Sequence, residues 1–192
     1  MVKTRLIPAL GEDGAAGLQR QMTEAVASQA EILGASRRLR FEIRYDGGDA
    51  ESVARWLAPV APNGQCRPQG DGDLGQRMQQ AMAQAFAEGS ERVVLLGCDC
   101  PAMSAEIMAQ AFAALADHDL VLGPALDGGY YLLGLVAPQP LLFVDMEWGD
   151  EAVLARTLDR AEAASLRVFL LESLADVDRP EDLAHFHHHS NS

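Results

Sequence analysis

The sequence predicts an α/β protein with a largely parallel sheet, on three observations. Helical and extended patterns alternate along the chain, the order that builds parallel sheets. A continuous apolar run, residues 93–97, stops at a lone acid, Asp99, with Pro101 behind it. Two further apolar runs, 120–125 and 130–135, are joined by Asp127-Gly128-Gly129, which adds one antiparallel hairpin to the parallel plan. An acid at the exit of a buried strand stands where open α/β sheets place ligands, in the crevice beyond the strands' carboxyl ends.

The elements run in order. Leu18, Met22, Val26, Ala30 and Leu33 share one helical face. Residues 39–45 alternate Leu39, Phe41, Ile43 and Tyr45, a strand pattern. Residues 51–57 make a short helix. Leu74, Met78, Met82 and Phe86 mark another, closed by Gly89. The unbroken run 93–97 fits a strand buried on both faces. Ser104 can cap a helix whose core face is Ile107, Met108, Ala111, Phe112 and Leu115. Val153, Leu154, Thr157, Leu158 and Ala161 mark a helix, 166–171 a strand, and Asp178-Arg179-Pro180-Glu181 opens a last helix. No internal repeat is present. The domain expected is 1–184, and the His-containing tail 185–192 is expected to be disordered, with His187–His189 able to hold only stray metal ions.

The 192 residues suffice for one domain with a sizeable core. Hydrophobic residues are 48% and charged residues 22%, the ordinary globular range. Fifteen basic against twenty-eight acidic residues give a net charge of −13. That argues against nucleic acid or an anionic membrane as partner, since both need a dense basic face. A small phosphorylated substrate held by a metal and a few basic groups remains compatible. The sequence has no apolar stretch of membrane-spanning length and no signal-peptide core. Cys66, Cys98 and Cys100 form no disulfide framework, so a reducing cytoplasm is expected. Cys98 and Cys100 read as buried small hydrophobes rather than soft-metal ligands.

Six segments occur in a fixed order: KTRLIPALG (3–11), QGDGDLGQRM (69–78), GCDCP (97–101), LGPALDGGYYLLGL (122–135), FVDMEWG (143–149) and DVDRPEDL (176–183). Together they resemble nucleotide-diphospho-sugar transferases of the glycosyltransferase-A fold, some associated with radical-SAM and arsenosugar gene neighbourhoods. More distant similarity is to the nucleotidyltransferases of molybdenum-cofactor and phospholactate metabolism. The resemblance implies a Rossmann-like three-layer α/β/α sandwich. It also implies a Mg²⁺- or Mn²⁺-dependent transferase that takes a nucleotide donor and a small acceptor. Glycosyl transfer from a nucleotide-sugar leads. Nucleotidyl transfer with release of pyrophosphate, or a nucleotide-binding domain without catalysis, are the alternatives. In similar proteins an apolar strand and a Lys/Pro/Gly-containing loop precede Lys3; here Met1 and Val2 do, so truncation at the start is the expectation.

The residue types suit that chemistry. Arg5 offers a planar fork for phosphate oxygens and Lys3 a point charge. With Thr4 they are implied to face the donor's phosphates, against the plain reading of a solvated basic terminus. Asp99 is the leading metal ligand, because Mg²⁺ takes hard oxygens from one or two carboxylates plus substrate phosphates. Cys98 and Cys100 flank it, so a second carboxylate must come from elsewhere. The resemblance offers Asp178 and, more weakly, Asp176; Asp178 with Glu181 equally fits a capping box. Asp127, Gly128 and Gly129 read as a hairpin turn and, by resemblance, as the border of the transferred group or acceptor. Of Tyr130 and Tyr131 only one can face the site. Gln69, Gly70, Gly72 and Gly75 precede a helix and can offer backbone amides to the nucleoside. Glu147 and Trp148 are implied to lie on the acceptor side, although a lone Trp is more often core. Catalytic roles fall to Lys3, Arg5 and Asp127.

Overall fold

The structure is a computed structural model that describes residues 3–37, 39–184 and 186. The tail histidines and Met1 and Val2 lie outside them.

Among the described residues six strands and five α-helices succeed one another: α1 (Ile7–Arg37), β1 (Glu42–Tyr45), α2 (Ala50–Leu57), β2 (Gln65–Pro68), α3 (Leu74–Ala87), β3 (Val93–Leu96), α4 (Ala105–Ala114), β4 (Leu120–Pro124), β5 (Tyr130–Leu135), α5 (Val153–Ala163) and β6 (Val168–Leu170). The strands form a parallel pair, β1–β2, and a four-stranded sheet in the order β3-β5-β4-β6. Strand β5 runs antiparallel to both neighbours, while β4 and β6 are parallel. The predicted parallel plan with one antiparallel hairpin is therefore what the chain adopts.

Two apolar layers sandwich the larger sheet, because alternate strand residues point to opposite faces. Val94, Leu96, Val121 and Leu132 pack with α1 and α4. Val93, Leu95, Leu120, Leu122, Leu133 and Leu135 pack with α3 and α5 through Met78, Met82, Phe86, Leu154, Leu158 and Ala161. Strands β4 and β5 are buried nearly throughout. A smaller cluster of Ala27, Leu57 and Ala61, with Phe41, Ile43 and Trp56 against it, joins the β1–β2 pair to α1 and α2.

Local chemistry sets the helix ends. Ser104 accepts the Ile107 amide at 3.3 Å, as predicted. Asp73 and Gln76 form a reciprocal capping box at the start of α3. Gly89, at φ 91°, closes that helix's exit. Within α1 the backbone breaks from helical angles at Gly11.

Four expectations need correction, and one strand has no expectation behind it. Strand β3 is half-buried, not buried on both faces, because it is the end strand of its sheet. Strand β1 begins at Glu42, three residues later than the alternation from Leu39 suggests. Strand β2 has no counterpart in the sequence pattern, since Gln65-Cys66-Arg67-Pro68 carries no apolar run; pairing with β1 makes it a strand. Leu74 is exposed at the first turn of α3 instead of facing the core. The last helix begins as a 3₁₀ turn, Pro180–Asp182.

Asp119 ties the start of β6 to β4, accepting the Arg167 amide at 2.9 Å and its guanidinium twice at 3.0 Å. Arg167's hydrogen bonds hold its carboxyl down at about 2, below the usual 3.8. A depressed acid stabilises the fold fully above the unfolded value, and that contribution is lost as pH falls through the folded one. Asp119→Asn should therefore lower the melting temperature at pH 7. It should also flatten the stability–pH curve between pH 3.8 and about 2, as followed by circular dichroism.

Candidate functional site

The carboxyl ends of β3, β4 and β6 converge, and the reversal of β5 brings its first residues to the same place. Beyond β3, the Gly97 amide donates to Tyr131 O at 2.8 Å, fixing Cys98, Asp99 and Cys100 beside the start of β5. Beyond β4, Ala125 bridges Leu174 in parallel, and the chain turns through Asp127-Gly128-Gly129. Beyond β6, the Val177 amide donates to Asp99 O at 2.9 Å. Asp99, Asp127, Asp176 and Asp178 thus gather where the strand ends meet.

Lys3 lies at the centre of the acids. Its Nζ is 3.1 Å from Asp99 Oδ1 and 3.7 Å from Asp178 Oδ1, and it donates to Val177 O at 2.6 Å. Its side chain is 4% exposed, so the reading of a solvated terminus does not hold, whereas Asp99 and Asp178 are 50% and 33% exposed. Lys3 adopts the left-handed backbone at φ 51°, a conformation that costs a non-glycine residue about 1–2 kcal/mol. Burial of Leu6 with Ala15, Leu18, Met22 and Val177 anchors the segment that holds it there. Arg5 pairs with the second Asp178 oxygen, and Thr4 is exposed beside it.

The capping-box alternative for Asp178 is corrected by the next turn of the chain. Asp182, not Glu181, accepts the Asp178 and Arg179 amides, at 3.1 and 2.7 Å. The Asp178 carboxylate is left to the two cations. Asp99 is likewise engaged by Lys3, with the Cys98 Sγ at 3.8 Å.

The acids influence one another. Burial first, then the nearby Asp127, raises Asp176 above the ordinary carboxylate value. Burial, and then Asp176, Asp99 and Asp127, push the Cys100 thiol up to about 12. Burial and Asp99 raise Cys98 as well. Both thiols are thereby held in the protonated form at neutral pH. Among the described residues no group of three or more His, Cys, Asp or Glu side chains is arranged to hold a metal by itself. The donor set available to a hard cation is the pair Asp99 and Asp178, and two carboxylates suit Mg²⁺ when phosphates complete its shell.

The hairpin turn is built tightly. Asp127 Oδ1 accepts the Gly129 amide at 2.8 Å, and Gly128 O accepts the Leu154 amide at 2.9 Å. Gly128 has φ 89°, and a Cβ there would run into the Glu151 backbone. Of the two tyrosines, Tyr131 turns inward and donates to Glu172 O at 3.0 Å. Tyr130 lies edge-on to Trp148, with ring centres 6.3 Å apart. Trp148 also stacks on Phe143 at 6.4 Å and covers Gly75, where a Cβ would strike its indole. Trp148 therefore joins the glycine-rich segment before α3 to the hairpin, and Glu147 pairs with Arg156 at 3.1 Å.

That segment leaves β2 with positive φ at Gly70 and Gly72. Gln69 donates to Arg44 O at 3.2 Å, and Arg77 spans Gly72 O, Asp46 and Gln69 at 2.9, 2.9 and 3.2 Å. Sequence reasoning misses Arg77; its position one helical turn inside the glycine-rich segment is the available signal.

Comparison with known proteins places the chain in a family. The chain belongs to the bacterial family described as "Uncharacterized protein conserved in bacteria (DUF2064)", which matches residues 27–150. A crystal structure from Desulfovibrio desulfuricans G20, described as a "putative nucleotide-diphospho-sugar transferase", is 36% identical. It covers 95% of this chain and 78% of its own, with a TM-score of 0.85. A 4-diphosphocytidyl-2C-methyl-D-erythritol synthase from Anaerococcus prevotii DSM 20548 is 14% identical. It covers 88% of this chain and 86% of its own, with a TM-score of 0.56, and shares the fold alone. No curated protein matches. Among the described residues no helix is long and apolar enough to cross a membrane.

Gly128→Ala should be destabilising by at least about 1–2 kcal/mol from the backbone alone. Gly97→Ala, where a Cβ meets nothing closer than 3.7 Å, should be far milder. Urea unfolding of the two variants tests this contrast.

Proposed function

We propose that the protein is a metal-dependent transferase that uses a nucleotide donor, with glycosyl transfer from a nucleotide-sugar to a small acceptor as its reaction. The observation that carries this reading is the convergence of Asp99 and Asp178 on the Lys3 ammonium, with Arg5 on the other Asp178 oxygen. A 36% identical relative described in nucleotide-sugar terms supports the choice of donor.

In this reading Asp99 and Asp178 hold Mg²⁺ or Mn²⁺. When bound, the metal supplies positive charge that stabilises the departing diphosphate. Arg5, exposed and forked, binds phosphate oxygens. Lys3 adds a point charge beside them. The segment Gln69, Gly70, Gly72 and Gly75 receives the nucleoside. Asp127, Gly128 and Gly129 border the sugar, with Asp127 positioned to accept a hydrogen bond or proton from the acceptor hydroxyl. Trp148 closes the wall between the two regions. Positioning and electrostatics supply most of the catalysis in such transfers.

Nucleotidyl transfer is the second reading. No Asp-x-Asp pair forms around Asp99, since Gly97 and Pro101 stand two positions away on either side, and basic residues lie against the acids, as attack on an α-phosphorus needs. The two are separated by product: nucleoside diphosphate from a nucleotide-sugar, or pyrophosphate from a nucleoside triphosphate.

A nucleotide-sugar with Mg²⁺ should raise the melting temperature, by an increment worth about 2.7 kcal/mol at a hundred times its dissociation constant. Asp99→Asn should abolish the Mg²⁺-dependent part of that shift. Absence of both binding and turnover with nucleotide-sugars and with triphosphates, in the presence of Mg²⁺, would reject the proposal.

A further inference from the structure

Lys3 offers its ammonium to the same two carboxylates that the proposed function gives to a divalent cation, and a competition between the two rests on that reading. We propose that the Lys3 ammonium is the resident counter-ion of the Asp99–Asp178 pair, and that a divalent cation binds there only by displacing it.

The geometry is that of an occupied cation position. Two oxygens lie within hydrogen-bond distance of this ammonium, Asp99 Oδ1 at 3.1 Å and Val177 O at 2.6 Å, and Asp178 Oδ1 completes its surroundings as an ion-pair contact at 3.7 Å. The three oxygens come from two separate strand exits, and the Val177 amide, donating to Asp99 O at 2.9 Å, locks those exits together. The ammonium is buried beneath them while both carboxylates keep exposed surface, so an incoming cation meets the carboxylates first. A divalent cation bridging Asp99 and Asp178 would sit against the ammonium and meet strong like-charge repulsion from it.

Displacement needs a change in side-chain torsion, not unfolding. Leu6 is completely buried and holds the main chain in place, and the four-carbon stem of a lysine carries several rotatable bonds. Arg5, on the other Asp178 oxygen, continues to balance that acid during the exchange. The displaced ammonium stays tethered within reach of the site, where the phosphates of a donor favour its new position. Divalent cation and nucleotide should therefore bind with positive coupling, and the cation alone should bind weakly.

The test is a Mn²⁺ titration without nucleotide, read from the electron paramagnetic resonance signal of the free ion. Lys3→Met removes the competitor and should tighten Mn²⁺ binding about tenfold or more. Lys3→Gln, which keeps an N–H for the Val177 carbonyl, guards against a folding failure and should do the same. Lys3→Arg should stay near the wild-type affinity, and adding Asp99→Asn to Lys3→Met should erase the gain. Unchanged or weaker Mn²⁺ binding in both neutral variants, with wild-type binding still abolished by Asp99→Asn, would overturn the competition and leave the metal reading standing. Mn²⁺ binding by none of the proteins, alone or with nucleotide-sugar, would overturn both.

Discussion

The reversal of β5 between β3 and β4 is the constraint on which the site depends. Antiparallel pairing on both sides places the first residues of β5 beside the last residues of its two neighbours. The glycine turn that starts β5 and the acid that ends β3 therefore share one corner of the sheet. The apolar content of β5 makes this arrangement stable: Leu132 faces one helical layer, and Leu133 and Leu135 face the other. The loop after β6 joins through the Ala125–Leu174 bridge, carrying Asp176 and Asp178 to the same corner.

Gathering acids in an already acidic protein has an electrostatic cost, and the structure meets it with few cations. Lys3 is buried against Asp99, Asp178 and the Val177 carbonyl, and Arg5 covers Asp178 from the solvent side. Burial first, and then the neighbouring acids, raise the affinity of Asp176 for its proton. A buried ammonium is tolerable only because oxygen acceptors replace its water. The same carboxylate oxygens are the hard donors that the proposed divalent cation would take.

Glycine at two positions lets distant parts of the chain close on this corner. Gly128 lets the hairpin lie against the backbone at Glu151, and Gly75 lets Trp148 lie flat over the start of α3. Through Trp148 and Tyr130, the glycine-rich segment after β2 is connected to the hairpin turn. Segments far apart in the chain thus come to border one region.

The sequence by itself determined the fold class and most elements, because period-2 and period-3.6 apolar patterns and cap residues such as Ser104 are local signals. It also marked Asp99 and the Asp127–Gly129 turn, since each lies at a visible break in an apolar run. Tertiary structure alone made a strand of Gln65–Pro68, whose character comes from its ladder with β1, and left β3 half-buried at the end of its sheet. It alone decided that Asp182 caps the last turn and frees Asp178. It alone buried Lys3 between acids at sequence positions 99 and 178. Periodicity reports which face of an element is apolar; which charges meet is set by where distant strand ends are brought together.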